Sequence, residues 1–331
     1  MRDTLILAFI KHYPDLFDQM QDTKQSNTSH PSPYHAEDSV WTHTFGVMSY
    51  IQLQDIPDTD KTILLYAALL HDTGKVSTAI YNPKHSRNSF HGHEGVSAYL
   101  SLDILPTLIQ ATDISVDIHT VFRIIALHGQ YIESSELTPL LNIFRLADKF
   151  GAVRNVALDI QDQYPEPKYC TNTTGAKHCT ILCGLPNSGK TTHTTTTEYD
   201  YIVSRDQCIE DLYVQIHGIT ASYNDMYRDI VAPYKDELNS LFQSRLREAR
   251  NYTNICIDMT MMSRNSRRTM MYSLPGFSFS CILLLRPLSQ CKVHRPGKIL
   301  QDSIFHSMMT AFTLPQLQEG FTSVRIIDVS S

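Results

Sequence analysis

The chain has little of what secreted, membrane-spanning or fibrous proteins require. Its 331 residues include one Trp, 13 Gly and 15 Pro, with no collagen-like period and no internal repeat of about 20–50 residues; the one low-complexity patch is Thr194 to Thr197. No run approaches the roughly 20 apolar residues that span a bilayer. The opening Leu5 to Ile10 stretch is short, follows Asp3 and leads into Lys11 and His12 without a small-residue cleavage site, so neither secretion nor a membrane partner is expected. Seven cysteines form an odd set without a C-x-x-C pair, which suggests neither a disulfide framework nor a thiolate zinc site and points to a reducing cytoplasm. What is present is 42% hydrophobic and 19% charged residues, enough to build cores in a chain long enough for about two domains.

The net charge of −6 conceals an asymmetry. Residues 1–177 carry 13 Lys and Arg against 20 Asp and Glu, whereas residues 178–331 carry 15 against 14. A near-neutral half with local Arg clusters can hold a phosphate backbone that an acidic half repels. The grammar changes at the same place. In the first 150 residues apolar positions recur at three- and four-residue spacing, in Val40, Phe45, Val47, Met48, Ile51 and in Ile63, Leu64, Ala67, Ala68, Leu70, which predicts helices with no convincing strand among them. Beyond a Pro-, Asn- and Thr-rich stretch, short apolar runs at Cys179 to Cys183, Tyr201 to Val203, Asn254 to Ile257, Phe279 to Leu285 and Val324 to Val329 alternate with amphipathic segments, the pattern of a parallel sheet covered by helices. The expected organisation is multidomain: an all-α domain over 1–165, a linker over 166–177 and an α/β domain over 178–331.

Histidine and aspartate carry the chemistry of the first half. His71 and Asp72 end an apolar helical run in Leu-Leu-His-Asp-Thr-Gly-Lys, where Gly74 is expected to terminate the helix. An imidazole beside a carboxylate can face one cation, and the second carboxylate oxygen can bridge to another. His43 upstream and Asp148 downstream lie on predicted helices that can close the site, and His93 and His128 complete the set. His12, His30, His35, His85 and His119 read as ordinary polar side chains. The order His, His-Asp, Asp, with the strings HDTGK, HGHEG and LADK, resembles the HD phosphohydrolase superfamily over about residues 35–155. The resemblance implies a helical metal site with His43, His71, Asp72 and Asp148 on one ion, His93 and His128 as the added ligands of a two-ion site holding Mn²⁺, Ni²⁺, Co²⁺ or a similar metal, and Lys75 on the substrate phosphate. His93 is preferred to His91 because the family's Gly-His-Glu string ends on it.

In the second half Gly184-Leu185-Pro186-Asn187-Ser188-Gly189-Lys190-Thr191 fits G-x-x-x-x-G-K-[ST] directly after a predicted strand. Backbone amides of such a loop surround nucleotide phosphates, with Gly184, Ser188, Gly189, Lys190, Thr191 and Thr192 at the ATP (or other NTP), Lys190 reaching the β and γ phosphates and the Thr191 hydroxyl on Mg²⁺. The helix that follows begins with a Thr-rich run and is expected to be short. Asp206, after the second strand, stands where ligands of parallel sheets bind and can take a proton from a hydroxyl; it and Asp258 can equally be helix N-caps. Arg264, Arg267 and Arg268 are either a solvated helix face or a nucleic-acid contact. The Gly-rich loop, the Arg-Asp after strand two, Asp258-x-Thr260 before a basic helix and Arg295 ahead of a Met- and Pro-containing tail look like the phage and bacterial 5′-OH polynucleotide kinases. By that resemblance Asp206 is the general base and Arg295 the lid residue, whereas Ile209 stands where some of these kinases carry an acceptor-binding arginine.

An HD hydrolase followed by such a kinase resembles the bacterial HD-Pnk RNA-repair enzymes. The resemblance implies a cytoplasmic enzyme acting on RNA ends, with DNA as the other polynucleotide candidate: it phosphorylates 5′-OH ends, opens 2′,3′-cyclic phosphates and removes the terminal phosphate, in functional partnership with a nucleic-acid ligase. Two alternatives stay open, an HD nucleotide phosphohydrolase fused to a nucleoside or small-molecule kinase, and a P-loop module that regulates the hydrolase through nucleotide binding.

Overall fold

The computed structural model describes residues 1–25, 38–130, 132, 135–152, 176–293 and 300–329. It divides into two compact units, Met1–Pro167 with Met309–Phe312, and Lys168–Met308 with Thr313–Ser331. Most of the expected linker lies outside the described residues.

The first unit is built from helices α1 (Arg2–His12), α2 (Pro14–Asp22), α3 (Val40–Gln52), α4 (Asp58–Leu70), α5 (Lys75–Thr78), α6 (His93–Thr112), α7 (Ile118–Leu127) and α8 (Thr138–Gly151). Every residue from Leu64 to Leu70 is fully buried, because α4 is apolar on all sides at this end and the other helices surround it. Ser39 caps α3 and Asp117 caps α7 through their side-chain oxygens, which fixes where the helices that carry His43 and lead to His128 start. Helices α3 and α8 cross at two glycines: a Cβ on Gly46 would lie 3.1 Å from Gly151 Cα, and one on Gly151 would lie 2.5 Å from Val47 Cγ2. That close approach brings His43 to Asp148.

Two expectations are corrected. A hairpin of β1 (Ile80–Asn82) and β2 (Arg87–Ser89), paired Ile80 to Ser89, interrupts the helices. Three-residue strands with little burial on either face carry no alternating apolar pattern, so the sequence could not announce them. Phe45, placed on the apolar stripe of α3 by spacing, is 44% exposed with the Arg2 guanidinium over its ring.

From residue 176 onward the chain forms β3 (Lys177–Cys183), α9 (Lys190–Thr196), β4 (Tyr201–Ser204), α10 (Arg205–His217), α11 (Tyr223–Val231), α12 (Lys235–Ala249), β5 (Asn254–Asp258), α13 (Arg264–Ser273), β6 (Phe277–Leu285), α14 (Leu288–Cys291), α15 (Asp302–Thr310) and β7 (Ser323–Asp328). The five strands are parallel in the order β4-β5-β3-β6-β7. From β3 the chain runs outward to β4 and later crosses to β6 on the opposite side, so the loop after β3 leaves the sheet where the strand order reverses, the position at which open α/β sheets bind ligands. Cys179, Cys183, Cys256 and Cys281 are fully buried strand residues whose thiols burial pushes up; they serve as small apolar side chains.

Of the three arginines read as a solvated or nucleic-acid-binding face, Arg267 departs from that reading. It is fully buried and grips Glu319 bidentately, Nε to Oε2 at 2.8 Å and Nη2 to Oε1 at 2.7 Å, while Nη1 donates to the Met261 and Met262 carbonyls at 3.0 Å each. The ion pair ties the loop after β5 to the segment before β7. Arg267→Ala should lower the stability of this unit by about 3–5 kcal/mol, because it strands a buried carboxylate. The exposed Arg247→Ala should stay within about 0.5 kcal/mol. Denaturant titration of both variants checks this.

Candidate functional site

Six side chains predicted from five separate stretches meet in the first unit. His43, His71 and Asp148 form one triad whose ligand atoms lie within 4.8 Å of one another, and Asp72, His93 and His128 form a second. His43 Nε2 is 2.8 Å from Asp148 Oδ1 and 3.3 Å from His71 Nε2; His71 Nε2 is 3.3 Å from Asp72 Oδ2, and His93 Nε2 is 3.2 Å from Asp72 Oδ1. Adjacent residues His71 and Asp72 therefore serve different triads, and the two Asp72 oxygens face different histidines. His71 Nδ1 donates to the Ala68 carbonyl at 2.8 Å, His93 Nδ1 to Phe90 at 2.8 Å and His128 Nδ1 to Ile125 at 2.7 Å. Each ring uses its own preceding turn as the acceptor, which fixes its orientation and leaves Nε2 to the cluster, as metal-ligating imidazoles require.

The electrostatics select a cation. With Nδ1–H committed to Ala68, a neutral His71 would direct the Nε2 lone pair at Asp72 Oδ2 and at Asp148 Oδ1, 3.5 Å away. A positive charge must sit there. Burial opposes the charging of His71, but Asp72 and Asp148 outweigh it and raise its pKa to about 10. Burial and the neighbouring His71 and His93 charges push His128 down to about 4. Asp72 is held well below the usual carboxylate range by His71 and Lys75 despite its burial, and Asp148 by His43 and His71. A donor set of imidazole nitrogens and carboxylate oxygens fits divalent transition metals. Lys75 is buried, with Nζ 2.8 Å from Asp72 Oδ2 and donating to Gln25 Oε1 at 2.6 Å. No sequence signal pointed to Gln25.

Gly74 corrects another expectation. It has ordinary α-region angles, φ −66° and ψ −20°, and α4 already ends at Leu70. Its need for no side chain comes from packing: a Cβ would lie 2.5 Å from the His93 carbonyl oxygen and 2.8 Å from Ser97 N, inside the first turn of α6.

In the second unit the loop after β3 is held open by left-handed residues, Asn187 at φ 62° and Gly189 at φ 97°. A Cβ on Gly184 would strike the Leu284 carbonyl at 2.8 Å. Lys190 folds over the loop and donates to the Gly184 and Leu185 carbonyls at 3.0 and 2.7 Å. The Ser188 hydroxyl is buried without a hydrogen-bond partner among the described residues, an open polar position of the kind nucleotide phosphates fill. Thr191 and Thr192 are exposed at the start of α9, which spans only seven residues, as its composition predicted. The following threonines return their hydroxyls to carbonyls three or four residues back.

Neither aspartate is an N-cap. Ser204 caps α10 and Ser263 caps α13; Asp206 stands exposed in the first turn of α10 and accepts a hydrogen bond from the Tyr223 hydroxyl at 2.9 Å. Ile209 is 2% exposed and belongs to the core. Arg295 lies outside the described residues.

The family model described as HD domain matches residues 40–153, and that described as AAA domain matches residues 180–296. The chain thus joins a helical unit that matches the HD-domain model to a parallel α/β unit that matches the AAA-domain model and carries the G-x-x-x-x-G-K-[ST] loop after β3. Over 52 residues it is 48% identical to the A-adding tRNA nucleotidyltransferase of Deinococcus radiodurans, a stretch covering 16% of this chain and 12% of that enzyme. Similar solved structures include a sugar kinase from Janibacter sp. HTCC2649, at 19% identity and TM-score 0.30 over 46% of this chain and 85% of that one. A gluconokinase from Sinorhizobium meliloti 1021 matches at 16% identity and TM-score 0.28 over 47% and 85%. No helix among the described residues is long and apolar enough to cross a membrane.

Three outcomes follow from the HD-domain geometry. Mn²⁺ uptake at pH 7.5 should release about one proton, because the cation replaces the one on His71; calorimetry in buffers of different ionisation enthalpy reads this, and identical heats would show His71 neutral beforehand. The raised His71 pKa contributes stability that is complete below about pH 6.5 and lost as pH rises through about 10. Mn²⁺ should therefore raise Tm more at pH 9 than at pH 6. Gly74→Ala should weaken Mn²⁺ binding at least tenfold by displacing His93, the size of effect expected when the support of a ligand is lost.

Proposed function

We propose that the chain is a bifunctional RNA end-healing enzyme, phosphorylating 5′-OH ends in the kinase domain and clearing 2′,3′-cyclic and terminal phosphates in the HD domain. The observation that carries the reading is the pair of triads built on the adjacent His71 and Asp72, a two-cation arrangement suited to phosphate esters, on the same chain as an ATP-type loop and an exposed aspartate. The similarity of a short stretch to an enzyme named for its action on tRNA accords with an RNA substrate. The products, a 3′-OH and a 5′-phosphate, are the ends a nucleic-acid ligase consumes, which is the partner and the cytoplasmic setting we assign.

In the HD domain, divalent cations on the two triads would supply charge neutralisation and water activation. His43, His71 and Asp148 hold one side of the site, and Asp72, His93 and His128 the other. Lys75, beside Asp72, would meet a phosphate oxygen of the substrate. In the kinase domain the amides from Gly184 to Thr192 would cradle the nucleotide, Lys190 would exchange the loop carbonyls for phosphate oxygens, and Thr191 would hold Mg²⁺. Asp206 takes the proton of the acceptor hydroxyl as its oxygen bonds to the γ-phosphorus. The bond from that phosphorus to the bridging oxygen breaks, leaving the electron pair on ADP. Arg295 would neutralise charge on the transferring group.

A second reading, an HD nucleotide phosphohydrolase fused to a kinase of a nucleoside or other small alcohol, is favoured by one observation. The buried Ile209 cannot hold a polynucleotide terminus where an arginine would. A P-loop that only regulates the hydrolase is separated from both by Asp206→Asn, which leaves nucleotide control intact but removes transfer if the domain is a kinase.

The deciding assay follows both ends of a short RNA bearing a 5′-OH and a 2′,3′-cyclic phosphate, with ATP, Mg²⁺ and Mn²⁺. Both ends should be converted. Asp72→Ala should abolish phosphate release and leave 5′ phosphorylation within a few-fold, while Lys190→Ala should do the reverse. An unchanged 3′ end with a phosphorylated 5′ end would give the HD domain a different substrate, and no change at either end would favour the small-molecule reading.

A further inference from the structure

Asp206 is 17 residues from Tyr223 in sequence, and the two meet because α11 packs on α10. The contact side of α11 is apolar, with Met226 and Ile230 buried, and α10 buries Ile209, Leu212 and Tyr213. Ser222 caps α11, its Oγ accepting from Asp225 N at 3.3 Å, so Tyr223 occupies the first helical position and is aimed by the helix start rather than by a loose loop. Its hydroxyl donates to Asp206 Oδ1 at 2.9 Å. Burial, followed by the Asp206 charge and the hydrogen bond to it, pushes the Tyr223 phenol up, so it stays protonated and remains a donor across the working pH range.

An exposed carboxylate at the start of a helix samples several rotamers, and a proton acceptor must stand within hydrogen-bond reach of one particular hydroxyl. A carboxylate offers about four acceptor positions, so one phenolic donor can hold its rotamer without using up its capacity to take a proton. We infer that Tyr223 is a positioning residue for phosphoryl transfer, holding the Asp206 carboxylate toward the acceptor hydroxyl from α11. The inference rests on the kinase reading in which Asp206 accepts the acceptor proton, and extends it to a residue that no motif in the sequence marks.

The test is a double-mutant cycle on the full chain with Tyr223→Phe and Asp206→Asn, using ATP and a 5′-OH RNA oligonucleotide. Tyr223→Phe keeps the ring and its packing, so the fold should survive, with Tm within about 2 °C. Loss of a hydrogen bond to a charged group should lower kcat roughly 10- to 100-fold, with KM for ATP and for RNA within about twofold. In the Asp206→Asn background, adding Tyr223→Phe should change the residual rate by less than about twofold, since there is no base left to orient. Equal losses in the two backgrounds, a change confined to KM, or a fall in Tm that accounts for the loss would make Tyr223 a structural clamp and overturn the inference. Undiminished transfer by Asp206→Asn alone would instead remove Asp206 as the base, and the kinase mechanism with it. If the wild-type protein phosphorylates a nucleoside or sugar rather than RNA, only the acceptor class of the proposed function falls; the same cycle with that acceptor then decides the role of Tyr223.

Discussion

Burying a carboxylate is expensive, and the HD domain buries Asp72 almost completely at its centre. An isolated ion there would carry a desolvation penalty of several kcal/mol. The structure offsets it by surrounding the aspartate with His71, His93 and Lys75, and the helices are arranged to deliver those groups. α4 is enclosed so that its C-terminal end points His71 and Asp72 inward, α3 and α8 approach through paired glycines so that His43 meets Asp148, and Gly74 gives α6 room to bring in His93. The net result is a cluster whose carboxylates demand positive charge, supplied by a proton on His71 when no cation is held.

The α/β unit solves a related problem with the opposite sign. A phosphate-binding loop must present donors to a ligand and still be stable without it. Here Lys190 is satisfied by the loop's own carbonyls, and the left-handed Asn187 and Gly189 preserve the curvature. The buried Arg267 to Glu319 pair braces the segment after β5, next to Thr260, whose carbonyl accepts from Gly184 N at 3.1 Å. A cation that could have faced nucleic acid is instead structural, which leaves Arg264 and Arg268 of that helix nearer the surface.

The two sites were legible to different degrees, for a physical reason. The phosphate loop from Gly184 to Thr191 is local in sequence and announces itself through fixed spacing, as does the adjacent pair His71-Asp72, whereas the other four candidate ligands are spread from residue 43 to 148 and come together only through helix packing. The central strands β3, β5 and β6 were visible because buried parallel strands read as continuous apolar runs, while the edge strands β4 and β7 are less buried and showed as shorter apolar runs. The β1–β2 hairpin was not, being short and poorly buried. Arg267 misled because a buried arginine looks like a surface one until its partner, Glu319, is brought up from a distant segment.

The sequence by itself determined the two-domain division of chemistry, the identity of the six candidate metal ligands and the position of the phosphate loop, since composition, periodicity and motif spacing are properties of short stretches. Only the tertiary structure decided that the ligands sort into two triads on either side of the His71–Asp72 bond, that Gly74 serves packing against α6 rather than helix termination, that Ile209 is core, and that Tyr223 reaches Asp206. Each of these depends on which surfaces of separate helices come together. Burial of apolar faces sets that pairing, and no local pattern encodes it.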